Sequence, residues 1–121
     1  MWVVVYTSEA EQELDILPDQ EKVAILHAVE KLSALGPGLP YPHQSNVQGA
    51  EGLRELRPRQ GRSRWRAFYC RVGDVFVIAA IGSEAAVDKR GFARAVQAAQ
   101  QRCAQIDREE DDHEATGSET S

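Results

Sequence analysis

The chain has 121 residues, 42% of them hydrophobic, and a formal net charge of -5. No apolar run approaches the roughly 18 to 20 residues that a membrane-spanning helix needs, so one soluble domain with one core is expected, at a cytoplasmic address. The charge is unevenly placed: residues 1–106 hold 13 Lys and Arg against 12 Asp and Glu, whereas 107–121 hold seven acids and one arginine. The acidic segment has almost nothing apolar to bury and is expected to be a disordered tail on a domain spanning 1–106.

Taken in chain order, Trp2 to Tyr6 reads as a buried strand; it is short and lacks the basic flank of a secretion signal. Ser8-Glu-Ala-Glu11 has the form of a capping box, in which two side chains satisfy orphan amides of a new helix, predicted over 8–17. Pro18 cannot continue that helix but can open the next, where Ile25, Ala28, Val29, Leu32 and Leu35 follow helical spacing. Gly36-Pro-Gly38 ends it. His27 falls off the apolar stripe and reads as a surface residue. Residues 36–52, with three prolines and several glycines, read as a long connecting loop; His43 within it is either a proton carrier or an ordinary loop histidine.

From Leu53 the pattern alternates, predicting strands over 53–58, 64–72 and 75–81 with turns at Gly61 and Gly73-Asp74. Short turns make consecutive strands antiparallel. A last helix, starting at 85 or 88 and ending at 106, carries Phe92, Ala95, Val96, Ala99, Cys103 and Ile106 on one face and should pack on the sheet. Cys70 and Cys103 show no metal-ligand spacing and no secretory context, so both are expected to be buried free thiols. No metal or other cofactor is expected.

The chemistry concentrates between Gly52 and Arg71, where seven arginines and one acid share twenty residues. Guanidinium groups on strands offer planar donor forks that match phosphate oxygens. Period two, with Leu56, Trp65, Ala67 and Tyr69 facing the core, puts Glu55 and Arg57 on the opposite face of one strand and Arg64, Arg66 and Phe68 on that face of the next. A carboxylate beside guanidiniums can take the proton of an RNA 2′-hydroxyl while the cations hold the phosphate. The same residues read equally as a structural cross-strand ion pair.

The element order, together with Trp2-Val-Val, Leu35-Gly-Pro-Gly-Leu-Pro-Tyr-Pro42, Leu53-Arg-Glu-Leu-Arg57, Trp65-Arg66-x-x-Tyr69 and Val77-Ile-Ala-Ala-Ile-Gly82, resembles the RelE/ParE toxin superfamily, in particular its HigB-like branch. The resemblance implies an α+β fold of order β-α-α-β-β-β-α with a mainly antiparallel sheet. It further implies the toxin of a type II toxin–antitoxin system, a metal-independent endoribonuclease acting on messenger RNA on the ribosome and neutralised by a small DNA-binding antitoxin. It places Glu55, Arg57 and Arg66 on the active face, and Arg54, Arg59, Arg64, Lys89 and Arg90 are the further expected RNA contacts. Two other readings stand beside it: a toxin-fold interaction module without cleavage, and a gyrase-directed toxin of the ParE type. The family commonly carries Lys or Arg soon after the glycine that closes the fourth strand. Here Gly82-Ser83-Glu84 follows instead, which removes a phosphate contact and delays the basic residues to Lys89 and Arg90.

Overall fold

A computed structural model describes residues 1–109 with their side chains, and its last helix is carried to Thr120. The acidic segment expected to be disordered lies, from residue 110 onward, outside the described side chains. The elements are β1 (Val3–Tyr6), α1 (Ser8–Asp15), α2 (Asp19–Leu35), β2 (Gln44–Asn46), β3 (Arg54–Leu56), β4 (Trp65–Val72), β5 (Val75–Ser83) and α3 (Lys89–Thr120). They form the expected α+β architecture around one five-stranded sheet of order β1-β5-β4-β3-β2. Every pairing is antiparallel except that of β1 with β5. Through α1 and α2 the chain passes from β1 to β2 at the opposite edge of the sheet, so β1 and β5 are far apart in sequence and can pair in parallel.

Several local expectations are corrected. The cap of α1 is Thr7, whose hydroxyl accepts from the Ala10 amide at 3.1 Å, while Ser8 Oγ turns to Glu9 at 2.9 Å. Both residues can cap; the extended backbone of Thr7 (φ -67°, ψ 156°) is what fits the role. β1 is not buried throughout but is an edge strand whose Val3 and Val5 face outward. The loop expected over 36–52 contains β2, a three-residue strand that extends the sheet beyond β3. Leu35, placed on the apolar stripe of α2, is exposed.

The sheet is covered on both faces. On one, α1 and α2 bury Ile25, Ala28 and Leu32 against Leu56, Ala67, Tyr69 and Ile78. On the other, Ala95, Ala99 and Cys103 of α3 pack on Phe68, Cys70, Val77 and Ala79. A β-bulge makes this fit: Phe68 pairs with Ala80 but Tyr69 with Ile78, leaving Ala79 as the extra residue of β5. Gly82 lets α3 come close, because a Cβ there would lie 2.4 Å from that of Ala95.

Two tethers hold α3. Arg102 reaches the Ala79 carbonyl at 2.8 Å and Glu13 of α1 at 3.1 Å, and Glu13 also accepts from the Ile81 amide at 3.0 Å. Side chains thereby engage backbone groups of Ala79 and Ile81 beside the bulge, where Thr7 Oγ1 also donates to the Ala79 carbonyl at 3.4 Å. The second tether overturns the free-thiol expectation: Cys70 of β4 and Cys103 of α3 form a disulfide. Thirty-three residues separate them, and only the docking of α3 on β4 brings their Cα atoms within 6.5 Å.

Candidate nucleic-acid site

The site lies on the face of the sheet that α3 covers, where β3 and β4 run beside Phe92 at the start of α3. Glu55 stands opposite Ser45 on β2 and Phe68 on β4, and its residue is 9% exposed. A carboxylate so enclosed must be paired. Its Oε1 receives Arg57 Nη1 at 2.8 Å and Ser45 Oγ at 3.3 Å, and Arg66 Nε stands 3.8 Å away. The alternation rule thus correctly brings Glu55, Arg57 and Arg66 together.

Arg66 corrects the expectation that these side chains lie outside the core, for it is 1% exposed and among the largest fully buried side chains. Its guanidinium donates to the carbonyls of Ser63, Trp65 and Gly61 and to Glu84 Oε2, the last at 2.7 Å. Burial, and next the neighbouring Arg57 charge, push the Arg66 pKa down, while Glu84 and Glu55 pull it back up. An arginine remains charged under such shifts, so these contacts fix its position and leave its ionisation unchanged. Among the described residues Arg57 Nε and Arg66 Nε are buried donors without a hydrogen-bond partner. Unsatisfied buried donors favour a site that receives acceptors from outside.

The β3–β4 connection holds both arginines. Arg59, Gln60 and Gly61 are consecutively left-handed, with φ of 54°, 58° and 94°. Two non-glycine residues in that region cost free energy that the surroundings must offset. The offset comes from Arg59, tied to Glu21 Oε1 at 3.4 Å and the Gln20 carbonyl at 3.3 Å, and from Ser63 Oγ, 2.8 Å from Glu21 Oε2. The resulting turn aims the Gly61 carbonyl at Arg66 and lays Gly61 against Arg57, where a Cβ would meet Nη2 at 2.9 Å.

Above these residues an open depression of about 450 Å³ is lined by Glu55, Arg57, Arg66, Glu84 and Phe92, among others. Its two carboxylates and two guanidiniums balance in charge. Glu84, read from sequence as a lost phosphate contact, is an ion-pair partner of Arg66. The other expected RNA contacts are dispersed. Arg54 lies on the opposite face, bonded to Gln44 Oε1 at 3.1 Å; Arg59 faces α2; Arg64 is exposed over the Trp65 ring at 5.4 Å. Lys89 and Arg90 are exposed at the start of α3 and do not line the depression. Ser45 was not foreseen, because its role depends on β2 pairing in one register, and three residues give no legible alternation.

The phage-derived protein Gp49-like family (DUF891) matches residues 12–84, from within α1 through β2, β3, β4 and β5 to Glu84. The chain belongs to that family. No curated protein matches it. Among solved structures, a free-state arginine-to-alanine double mutant of the Escherichia coli toxin RelE is similar with 12% identity and a TM-score of 0.57, over 79% of this chain and 95% of that one. The toxin–antitoxin complex RelBE2 of Mycobacterium tuberculosis is similar with 20% identity and a TM-score of 0.53, over 69% of this chain and 98% of the matched chain. At these identities the likeness shows the fold: this Gp49-like chain has a RelE-like architecture. No helix among the described residues is long and apolar enough to cross a membrane.

Proposed function

We propose that this Gp49-like protein is the toxin of a type II toxin–antitoxin system, of the HigB-like kind, and that it is a metal-independent endoribonuclease acting on messenger RNA at the ribosome. The observation that carries the reading is the Glu55 carboxylate held 2.8 Å from Arg57 and 3.8 Å from Arg66 on the floor of an open depression. Glu55 takes the 2′-hydroxyl proton; the 2′-oxygen attacks phosphorus; the bond to the 5′-oxygen breaks, and that oxygen takes a proton from solvent. Arg57 and Arg66 stabilise the charge growing on the phosphoryl oxygens. The products are a 2′,3′-cyclic phosphate and a 5′-hydroxyl end.

The likeness to toxins solved alone and in an antitoxin complex supports a partner encoded beside this chain, a small DNA-binding antitoxin whose acidic or amphipathic segment covers the arginine face. Co-expression with each adjacent reading frame tests the partner: a stable complex and relief of growth arrest are expected, and no complex with either frame contradicts it. Growth arrest with RNA cleavage ending in 2′,3′-cyclic phosphate tests the chemistry. One observation favours a second reading, a binding module without cleavage: Glu84 at 2.7 Å and three carbonyls occupy both Nη groups of Arg66, leaving only its Nε–H for a phosphate. A folded wild-type protein that binds RNA without cleaving it would establish that reading.

A further inference from the structure

A second depression lies on the α2 face of the sheet, between α2 and the end of β3, with a volume of about 300 Å³. Its wall presents Lys31 and His27 from α2, His43 from the loop before β2, and Arg57 and Arg59 from the β3–β4 connection. No acid lines it. Glu21, behind the wall, is occupied by Arg59 and by Ser63 Oγ. Among the described residues no ion pair engages Lys31, which is exposed. Arg57 lines both depressions, so one guanidinium at the end of β3 is shared between them. The Arg57 guanidinium lies 5.7 Å from the centre of the Tyr41 ring, and Tyr41 is 72% exposed.

Resting on the nuclease reading, we propose that this groove is a second phosphate subsite for single-stranded RNA, taking the phosphate adjacent to the scissile one, with Tyr41 stacking the neighbouring base. Three chemical features point to RNA over an acidic protein segment. The groove presents Lys31, Arg57, Arg59 and two histidines and no acid, beside the apolar Val23, Ala24, Ala28 and Leu56. It shares Arg57 with the carboxylate–guanidinium centre. An exposed aromatic beside a phosphate-binding track is what base stacking requires, and an acidic peptide has no need of it. The division of labour follows: Lys31, Arg59 and the two histidines fix the backbone, Tyr41 fixes the base, and together they hold the scissile phosphate in register over Glu55.

The test is fluorescence anisotropy with a labelled 2′-O-methyl RNA oligonucleotide, which binds but cannot be cleaved, across a salt series. Lys31→Glu and Tyr41→Ala both alter exposed side chains, and unchanged thermal unfolding is checked for each. Lys31→Glu is expected to weaken binding about tenfold and to lower the slope of log affinity against log salt by about 0.7. Tyr41→Ala is expected to weaken it roughly fivefold or more with an unchanged slope. If both folded variants bind as the wild type does, the subsite is overturned, and Glu55→Gln still slowing cleavage by roughly thirty- to a thousandfold would leave the nuclease reading standing. Lys31→Glu that binds RNA normally but loses the antitoxin complex overturns it too, and assigns the groove to the protein partner. A wild type that cleaves no RNA yet binds through Lys31 and Tyr41 supports the subsite and overturns the cleavage reading. A wild type that binds no RNA overturns both.

Discussion

Arg66 Nη2 lies 2.7 Å from Glu84 Oε2, so the arginine best placed beneath the Glu55 centre enters the site already paired with a carboxylate of the chain itself. A substrate phosphate has to compete with that carboxylate. Removing the Glu84 charge takes the four-residue cluster from balance to one net positive charge. Glu84→Gln is expected to tighten RNA binding several-fold at low salt and to lower stability by about 1 to 3 kcal/mol, because a charge-assisted partner of a buried arginine is weakened. Equal or weaker RNA affinity in the folded variant would show that Glu84 is not a competitor.

Arg57→Ala and Arg66→Ala should part company in stability. Arg57 is partly exposed, and its loss leaves Glu55 with Ser45 and Arg66 nearby. Arg66 is buried, and its loss strands three carbonyls together with the Glu84 carboxylate. Arg66→Ala is expected to cost on the order of 3 to 5 kcal/mol of stability and Arg57→Ala about 1 to 3 kcal/mol. Denaturant unfolding reads both, and comparable losses would contradict the burial argument.

The Cys70–Cys103 disulfide closes a long loop. In the chain-entropy model, reducing it should lower stability by roughly 3 to 4 kcal/mol. Thermal melts with and without reductant, and of Cys103→Ser, are expected to shift together; no shift would mean that the docking of α3 does not depend on the bond. Such bonds persist in oxidising compartments and are kept reduced in the cytosol, so the disulfide and the cytoplasmic address expected from sequence pull in opposite directions. Thiol titration of acid-quenched cells distinguishes them.

Burial pushes the Tyr69 hydroxyl up to about 12 and also raises that of Tyr6. The unfolded chain releases these protons near pH 10, whereas the folded protein holds them. The folded state therefore binds more protons in that window, and stability falls as pH rises from about 10 to 12. For Tyr69 the loss is on the order of 2 to 3 kcal/mol. Tyr69→Phe should flatten the alkaline limb of a stability–pH curve, and an unchanged limb would place its cause elsewhere.

Much of this molecule was legible in its residues. Alternation from Leu53 to Ile81 gave three of the five strands, the 3.6-residue stripe from Phe92 to Ile106 gave the face of α3, and period two brought Glu55, Arg57 and Arg66 to one face. What escaped depends on tertiary placement. Two-faced coverage of the sheet turns Arg66 from a surface residue into a buried one. The bulge at Ala79 and the left-handed run Arg59–Gln60–Gly61 carry no periodic signal, yet the latter positions both arginines. Arg54, Arg59 and Arg64 share the composition that drew attention to the segment, but register and turn geometry send them to separate surfaces. Cysteine pairing across 33 residues likewise needs the docked helix.

The central claim is that Glu55 acts as the base in RNA cleavage, and the most direct measurement is the rate of cleavage of messenger RNA on purified ribosomes by the wild type and by Glu55→Gln, with unfolding curves to confirm that both are folded. Removing the base should cost about 2 to 4 kcal/mol in the transition state, a rate loss of roughly thirty- to a thousandfold with RNA affinity largely kept. A folded Glu55→Gln protein that cleaves at the wild-type rate would contradict the account.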